Sequence, residues 1–176
     1  TMLAFRLHKM SLVYQLNFDV DPQTTFYEMK LPYCSSHSMA IERVPENAKV
    51  MDIGCGTGLL LDALIKSKKV SAYGIDQNEI PSEKKAVINF VRLNLDNIEQ
   101  LPEMENFDRV LMLDIIEHLS NPEIFLDAVR VRTTGKKPLV IATTGNVGFF
   151  VMRLQLLMNN FNYGKHGILD KTHKRL

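Results

Sequence analysis

The stretch Val50-Met51-Asp52-Ile53-Gly54-Cys55-Gly56-Thr57-Gly58-Leu59 constrains this chain more than any other. An apolar run ends in glycines that alternate with small residues, and leucines follow, so the stretch reads as a strand, a tight turn and the start of a helix. Glycines at 54, 56 and 58 let the backbone take positive φ. They also let a flat ligand lie almost against the main chain, where any Cβ would intrude. A nucleoside-type ligand is the natural occupant of such a turn.

The spacing narrows that ligand. An acid, Asp52, stands before the first glycine, and the glycines run Gly-x-Gly-x-Gly. The Gly-x-Gly-x-x-Gly pattern that delivers a pyrophosphate to a helix N-terminus is absent here. The difference argues against a dinucleotide and for S-adenosylmethionine, whose sulfonium and ammonium groups are cationic. Charge balance gives no reason to expect nucleic acid as a partner, since 21 Lys and Arg face 20 Asp and Glu. The apolar runs Leu59 to Leu61 and Val110 to Leu113 are too short to cross a bilayer, and Arg6, His8 and Lys9 interrupt the N-terminal apolar residues. No membrane span is expected. Two cysteines, Cys34 and Cys55, make no disulfide framework, so both read as reduced and the compartment as cytoplasmic.

With 176 residues and 45% hydrophobic content, one core and one domain are the default. Residues 1–46 carry turn formers without a clear period and read as a leader packed on the core. Phe26, Tyr27 and Tyr33 anchor it or form a lid over a ligand. Ser36 to Arg43 reads as a short helix. From 47 to 145 strands and helices alternate, the signature of an α/β parallel sheet with helices on both faces. The strands are Lys49–Ile53, Ser71–Ile75, Val87–Leu93, Arg109–Leu113 and Leu139–Ala142. The helices run from about Gly58 to Ser67 and from Pro122 to about Val131, the latter with Asn121 as N-cap; a polar, helix-compatible segment lies at Ser82 to Ala86. Residues 146–176 hold an apolar helix, Val147 to Met158, and an acceptor-side tail. Apolar side chains on nearly every side of that helix predict burial all round. They also predict self-association through residues 147 to 163, or packing back onto strands four and five.

Open α/β sheets bind ligands at the carboxyl edge of the strands, so polar residues at strand ends become candidates. Asp76 follows Tyr73-Gly74-Ile75, with Gln77 beside it, and is placed to accept hydrogen bonds from both hydroxyls of a ribose. Asn94-Leu95-Asp96 ends strand three, and the sequence does not choose between Asn94 and Asp96. Asp114, Glu117 and His118 cluster after strand four. Two carboxylates and an imidazole suit a divalent cation, but such groups more often satisfy backbone, and no metal is expected.

The glycine stretch resembles motif I of the class I S-adenosylmethionine-dependent methyltransferases. Phe107 to Pro122, with its Asp114-x-x-Glu117-His118-x-x-x-Pro122 pattern, resembles the motif IV region of families that include the ubiquinone biosynthesis O-methyltransferases. A third stretch carries Thr143-Thr144-Gly145-Asn146, Arg153-Leu154-Gln155-Leu156-Leu157, Phe161-Asn162-Tyr163-Gly164 and Gly167 to His173. It resembles methyltransferases found beside or fused to glycosyltransferases, with the methyltransferase-like protein of methionine biosynthesis as a relative. The resemblance covers residues 37 to 176. It implies a doubly wound, Rossmann-like sheet of about five parallel strands in the order 3-2-1-4-5, and a methyltransferase acting on a small-molecule acceptor, with a hydroxyl as the expected group.

On that resemblance Asp52, Gly54, Cys55, Gly56 and Gly58 form the cofactor turn, and Asp76 and Gln77 hold the ribose. Asn94, Leu95 and Asp96 hold the adenine, and Asp114 lies on the methionine side. His118 becomes the proton acceptor, because transfer to a hydroxyl is helped by a positioned base; a brace for the loop after strand four is its other reading. His166, Asp170 and His173 are candidates for the acceptor pocket. Two departures stand out: Gly145 occupies a position where the family has proline, and the final antiparallel hairpin of the class is absent. The chain is accordingly a fragment of a longer protein or a shortened fold. Two other functions remain open at this point, a non-catalytic binding protein that keeps the S-adenosylmethionine site and an NAD(P)-dependent oxidoreductase.

Overall fold

A computed structural model of the chain describes residues 35–135, 137–159, 161, 168–169 and 171–174. Phe26, Tyr27, Tyr33, Cys34, His166 and Asp170 lie outside the described residues. One compact unit carries the described residues up to Thr144, and a second carries those from Gly145 on.

The first unit is a five-stranded parallel sheet in the order β3-β2-β1-β4-β5. Its strands are β1 (Lys49–Ile53), β2 (Ser71–Asp76), β3 (Ile88–Arg92), β4 (Arg109–Leu113) and β5 (Leu139–Thr143). Helices α1 (Ser36–Arg43), α2 (Leu59–Lys68) and α3 (Pro122–Arg132) complete the unit. The expected fold class and strand order are therefore present. β1 and β4 are buried over four of their five residues. That is why they read as near-continuous apolar runs, as central strands covered on both faces must.

Alternation along the strands divides the core into two layers. Val50, Ala72, Ile88, Leu111 and Leu113 pack with Leu60, Leu61 and Leu64 of α2 and with Ala40 of α1. Met51, Ile53, Ile75, Val110 and Met112 pack with Phe125, Ala128 and Val129 of α3. Asp52 shares the face of Val50, so its carboxylate enters the first layer and only 3% of the residue is exposed.

The ends of α1 are secured by a local cap at its start and by side chains from distant positions at its finish. At the start of α1 the Ser38 N–H donates to Ser35 Oγ and the Ser35 N–H to Ser38 Oγ, a reciprocal capping box. At its other end, Lys68 Nζ donates to the carbonyls of Ile41 and Val44, and Arg109 Nε donates to that of Arg43 at 2.9 Å. Cations on the last carbonyls also complement the helix dipole.

The structure narrows one expectation and corrects three. Asn121 occupies the cap position of α3, but its side chain makes no capping bond and lines a hollow beside Asp96 instead. The segment at Ser82 to Ala86 is a single 3-10 turn, Lys84–Ala86. The apolar helix of the second unit, α4, spans Phe150–Leu157 and not Val147 to Met158. Asn146 delays it, because its Oδ1 accepts the Gly148 N–H and its carbonyl accepts the Phe149 N–H, both at 3.0 Å, forming a turn that competes with helix. Burial all round is not observed either: Met152 is the buried residue of α4, whereas Phe150 is 68% and Leu157 82% exposed.

Candidate functional site

The carboxyl edge of the sheet brings the turn after β1, the end of β2, the segment after β3 and the turn after β4 to one side of the unit. In the first turn, Gly54, Gly56 and Gly58 take φ of 80°, 53° and 72°. The Gly54 and Cys55 N–H groups both donate to the Ile75 carbonyl, at 2.7 and 3.0 Å, and the Gly58 N–H closes on the Cys55 carbonyl at 2.8 Å. Lys84 Nζ reaches the Thr57 carbonyl at 2.8 Å and holds the turn from the side.

The three glycines serve different needs. A Cβ at Gly54 would stand 2.2 Å from Ile115 Cγ2, and one at Gly58 would stand 3.0 Å from Ile88 Cδ1. At Gly56 a Cβ would meet nothing within 4 Å. The protein thus leaves open space over the middle glycine while packing tightly at the other two. The neighbouring Cys55 turns inward: a Cβ on Gly74 would lie 2.8 Å from its Sγ, so Cys55 offers that edge only backbone. Burial pushes its thiol pKa far up, and the charges of Asp52 and Asp76 push in the same direction.

The acids of this edge differ in environment. Asp76 Oδ2 accepts the Gly56 N–H and Oδ1 the Asn78 N–H, both at 2.8 Å. Each oxygen keeps a second acceptor position. Asp52 lies beneath the turn, and its carboxyl is pushed up to about 7, chiefly by burial and then by the charge of Asp76. Gln77 is exposed after β2, and its carbonyl accepts Arg92 Nε at 2.9 Å.

After β3 the two amide and acid candidates separate. Asn94 Oδ1 accepts the Asp96 N–H at 3.0 Å, a local turn, and Asn94 lines a polar hollow with Gln77, Asn78, Arg92 and Gln100. Asp96 accepts the Ser120 N–H at 2.9 Å and Ser120 Oγ at 2.8 Å. It lines a smaller, mostly apolar hollow of about 190 Å³ with Leu95, Ile98, Ile124 and Phe125.

Asp114 follows β4 at φ 53°, a backbone region that few residues other than glycine adopt and that Asp and Asn tolerate best. Its carboxylate accepts Thr143 Oγ1 at 2.7 Å and Ser36 Oγ at 3.2 Å. Sequence reasoning missed both hydroxyl partners. No local signal marks Ser36, which lies 78 positions from Asp114 in the chain. Glu117 is buried and His118 half-buried in the 3-10 turn Ile116–His118 that follows. Among the described residues no group of three His, Cys, Asp or Glu side chains is arranged to hold a metal ion, so Asp114, Glu117 and His118 do not form such a set. His173, in the second unit, is within 3.1 Å of the Ile168 carbonyl through Nδ1. No helix among the described residues is long and apolar enough to cross a membrane.

Comparison with known proteins gives three findings. A family model described as methionine biosynthesis protein MetW matches residues 35–165. The ubiquinone biosynthesis O-methyltransferase of Maricaulis maris is 32% identical over 126 residues, covering 67% of this chain and 48% of that protein. Its mitochondrial counterpart in Dictyostelium discoideum is 28% identical over 98 residues, covering 47% of this chain and 30% of that protein. The chain spans about half the length, or less, of these curated relatives. Among solved structures, the PH0226 protein of Pyrococcus horikoshii OT3 superimposes with a TM-score of 0.56 over 80% of this chain and 70% of that one, at 17% identity. That likeness bears on the fold.

Proposed function

The chain belongs to the methionine biosynthesis protein MetW family, and from that membership we propose that it binds S-adenosylmethionine at the carboxyl edge of its sheet and serves methyl transfer to a small hydroxyl-bearing acceptor. One observation carries the reading above the others: a positive-φ glycine turn with open space over Gly56, its N–H already bound to an acid at the end of β2. A flat nucleoside fits against such a backbone, and a Cβ at position 56 would take its place. The naming of the curated relatives as O-methyltransferases supports the hydroxyl as acceptor group.

The donor set suits the ligand. Asp76 keeps acceptor positions for the two ribose hydroxyls while its carboxylate is held by the Gly56 and Asn78 N–H groups. Asp96 is the better candidate for the adenine amine, because it borders a mostly apolar hollow and is braced by Ser120. Asn94 instead builds the turn. Asp114, exposed at the edge, and Asp52, beneath the turn, complement the sulfonium and ammonium groups of the ligand. When bound, S-adenosylmethionine supplies an electrophilic methyl group on its sulfonium. His118, in the turn that follows Asp114, would take the proton from the acceptor hydroxyl on a ring nitrogen.

Calorimetric titration of the chain with S-adenosylmethionine and with its demethylated product tests the binding. Saturable binding of both, lost in Asp76→Ala, is the expected outcome; no heat with either ligand overturns the reading. Incubation with methyl-labelled cofactor and a panel of phenolic and sugar hydroxyls then tests transfer. Label should reach a hydroxyl acceptor, and His118→Ala should lower turnover more than cofactor affinity.

A further inference from the structure

We propose that Ser36 and Thr143 are positioning residues, two hydroxyls that hold the Asp114 carboxylate in the orientation the cofactor meets, so that α1 and the end of β5 are working parts of the site. The inference rests on the cofactor-side role of Asp114 given above.

The geometry is specific. Each oxygen of Asp114 receives one hydroxyl: Oδ1 accepts Thr143 Oγ1 at 2.7 Å, and Oδ2 accepts Ser36 Oγ at 3.2 Å. The backbone is tied in as well, since the Asp114 N–H lies 3.1 Å from both the Thr143 carbonyl and Thr143 Oγ1. The terminal torsion of an aspartate is otherwise soft, and one donor on each oxygen removes that freedom. An ionised carboxylate offers about four acceptor positions, so about two remain for a ligand after both hydroxyls have bonded.

Neither hydroxyl is needed by its own helix or strand. The reciprocal cap of α1 is made by Ser35 and Ser38, which leaves the Ser36 side chain free to reach across to β4. Thr143 is paired in the parallel ladder through its backbone, opposite Leu113. Asp114 itself is exposed. Hydrogen bonds at an exposed carboxylate contribute little to folding, so these bonds matter chiefly for where the carboxylate points.

The test is affinity for S-adenosylmethionine, measured by calorimetry beside the melting temperature of the ligand-free chain. Ser36→Ala should weaken binding about threefold and Thr143→Val about tenfold, with little change in ligand-free melting. Ser36→Thr and Thr143→Ser, which restore the hydroxyl, should return affinity to near the original. In an Asp114→Ala background, Ser36→Ala should have no further effect, because its partner is gone. Unchanged affinity in both single variants of a chain that binds the cofactor overturns the inference alone. So does a Ser36→Ala loss that persists without Asp114, or a hydroxyl-restoring variant that fails to recover. A parent chain that binds no cofactor overturns the functional reading, and this inference with it.

Discussion

Two turns leave the middle of the sheet at its carboxyl edge, one after β1 and one after β4, and they reach the left-handed backbone region by opposite means. The first uses Gly54, Gly56 and Gly58. The second uses Asp114, at φ 53°, and follows it with the bulky Ile115. The two are connected: Ile115 Cγ2 occupies the position beside Gly54 where a Cβ would stand 2.2 Å away. Glycine is needed in one turn because the other is large, and the second turn accepts strain to put a carboxylate at the edge. One turn therefore offers bare backbone to a ligand, the other a charged side chain fixed by two hydroxyls.

Breaking the packing between the turns should have the largest effect. Gly54→Ala combines a steric overlap with a branched side chain and a strained φ, and should destabilise the fold by about 3 kcal/mol or more. Thermal unfolding checks this. Ile115→Ala, which removes a buried core side chain, should cost less in the Gly54→Ala chain than in the parent, because there it also relieves the overlap.

Gly56→Val separates backbone access from packing. Its Cβ meets no protein atom, so the fold should survive with a loss of about 1–2 kcal/mol from the left-handed conformation. Affinity for S-adenosylmethionine should nevertheless fall by about 100-fold, which calorimetry reads directly; near-native affinity would show that the ligand does not lie over this glycine.

Asp52 adds a pH dependence to the first turn. Its folded value near 7 lies above the ordinary aspartate value of about 3.9, so the folded state binds the proton more tightly than the unfolded chain. The contribution of Asp52 to the stability of the ligand-free protein should be greatest below that ordinary value. It should fall as pH rises toward 7 and level off above it. Asp52→Asn should flatten this profile and stabilise the ligand-free chain at pH 8 by about 2 kcal/mol, while weakening cofactor binding. Denaturant unfolding at pH 5.5 and pH 8 measures both slopes.

The smallest effect sharpens the second turn. Asp114→Gly keeps the left-handed backbone and loses the carboxylate, whereas Asp114→Ala loses both. The two should bind cofactor equally poorly while the glycine variant is the more stable by about 1 kcal/mol. Equal stability would remove the backbone from the account of this turn.

What the sequence by itself determined was local and periodic. The boundaries of β1 and β4 were legible because both faces of a central parallel strand are apolar, and the glycine turn because left-handed φ leaves few residues to choose from. Alternation of strand and helix pointed to a parallel sheet covered on both faces, and the family resemblance supplied the strand order. Tertiary structure alone decided which hydroxyls meet Asp114, since Ser36 and Thr143 lie 78 and 29 positions away and carry no pattern that points to it. It likewise separated Asp96, bound by Ser120, from Asn94, bound within its own turn. It shortened α4 through Asn146 and turned the Asn121 side chain from a cap to the lining of a hollow. Periodicity records which face of an element is apolar, whereas a polar contact depends on atoms that meet only after the sheet has closed over the helices.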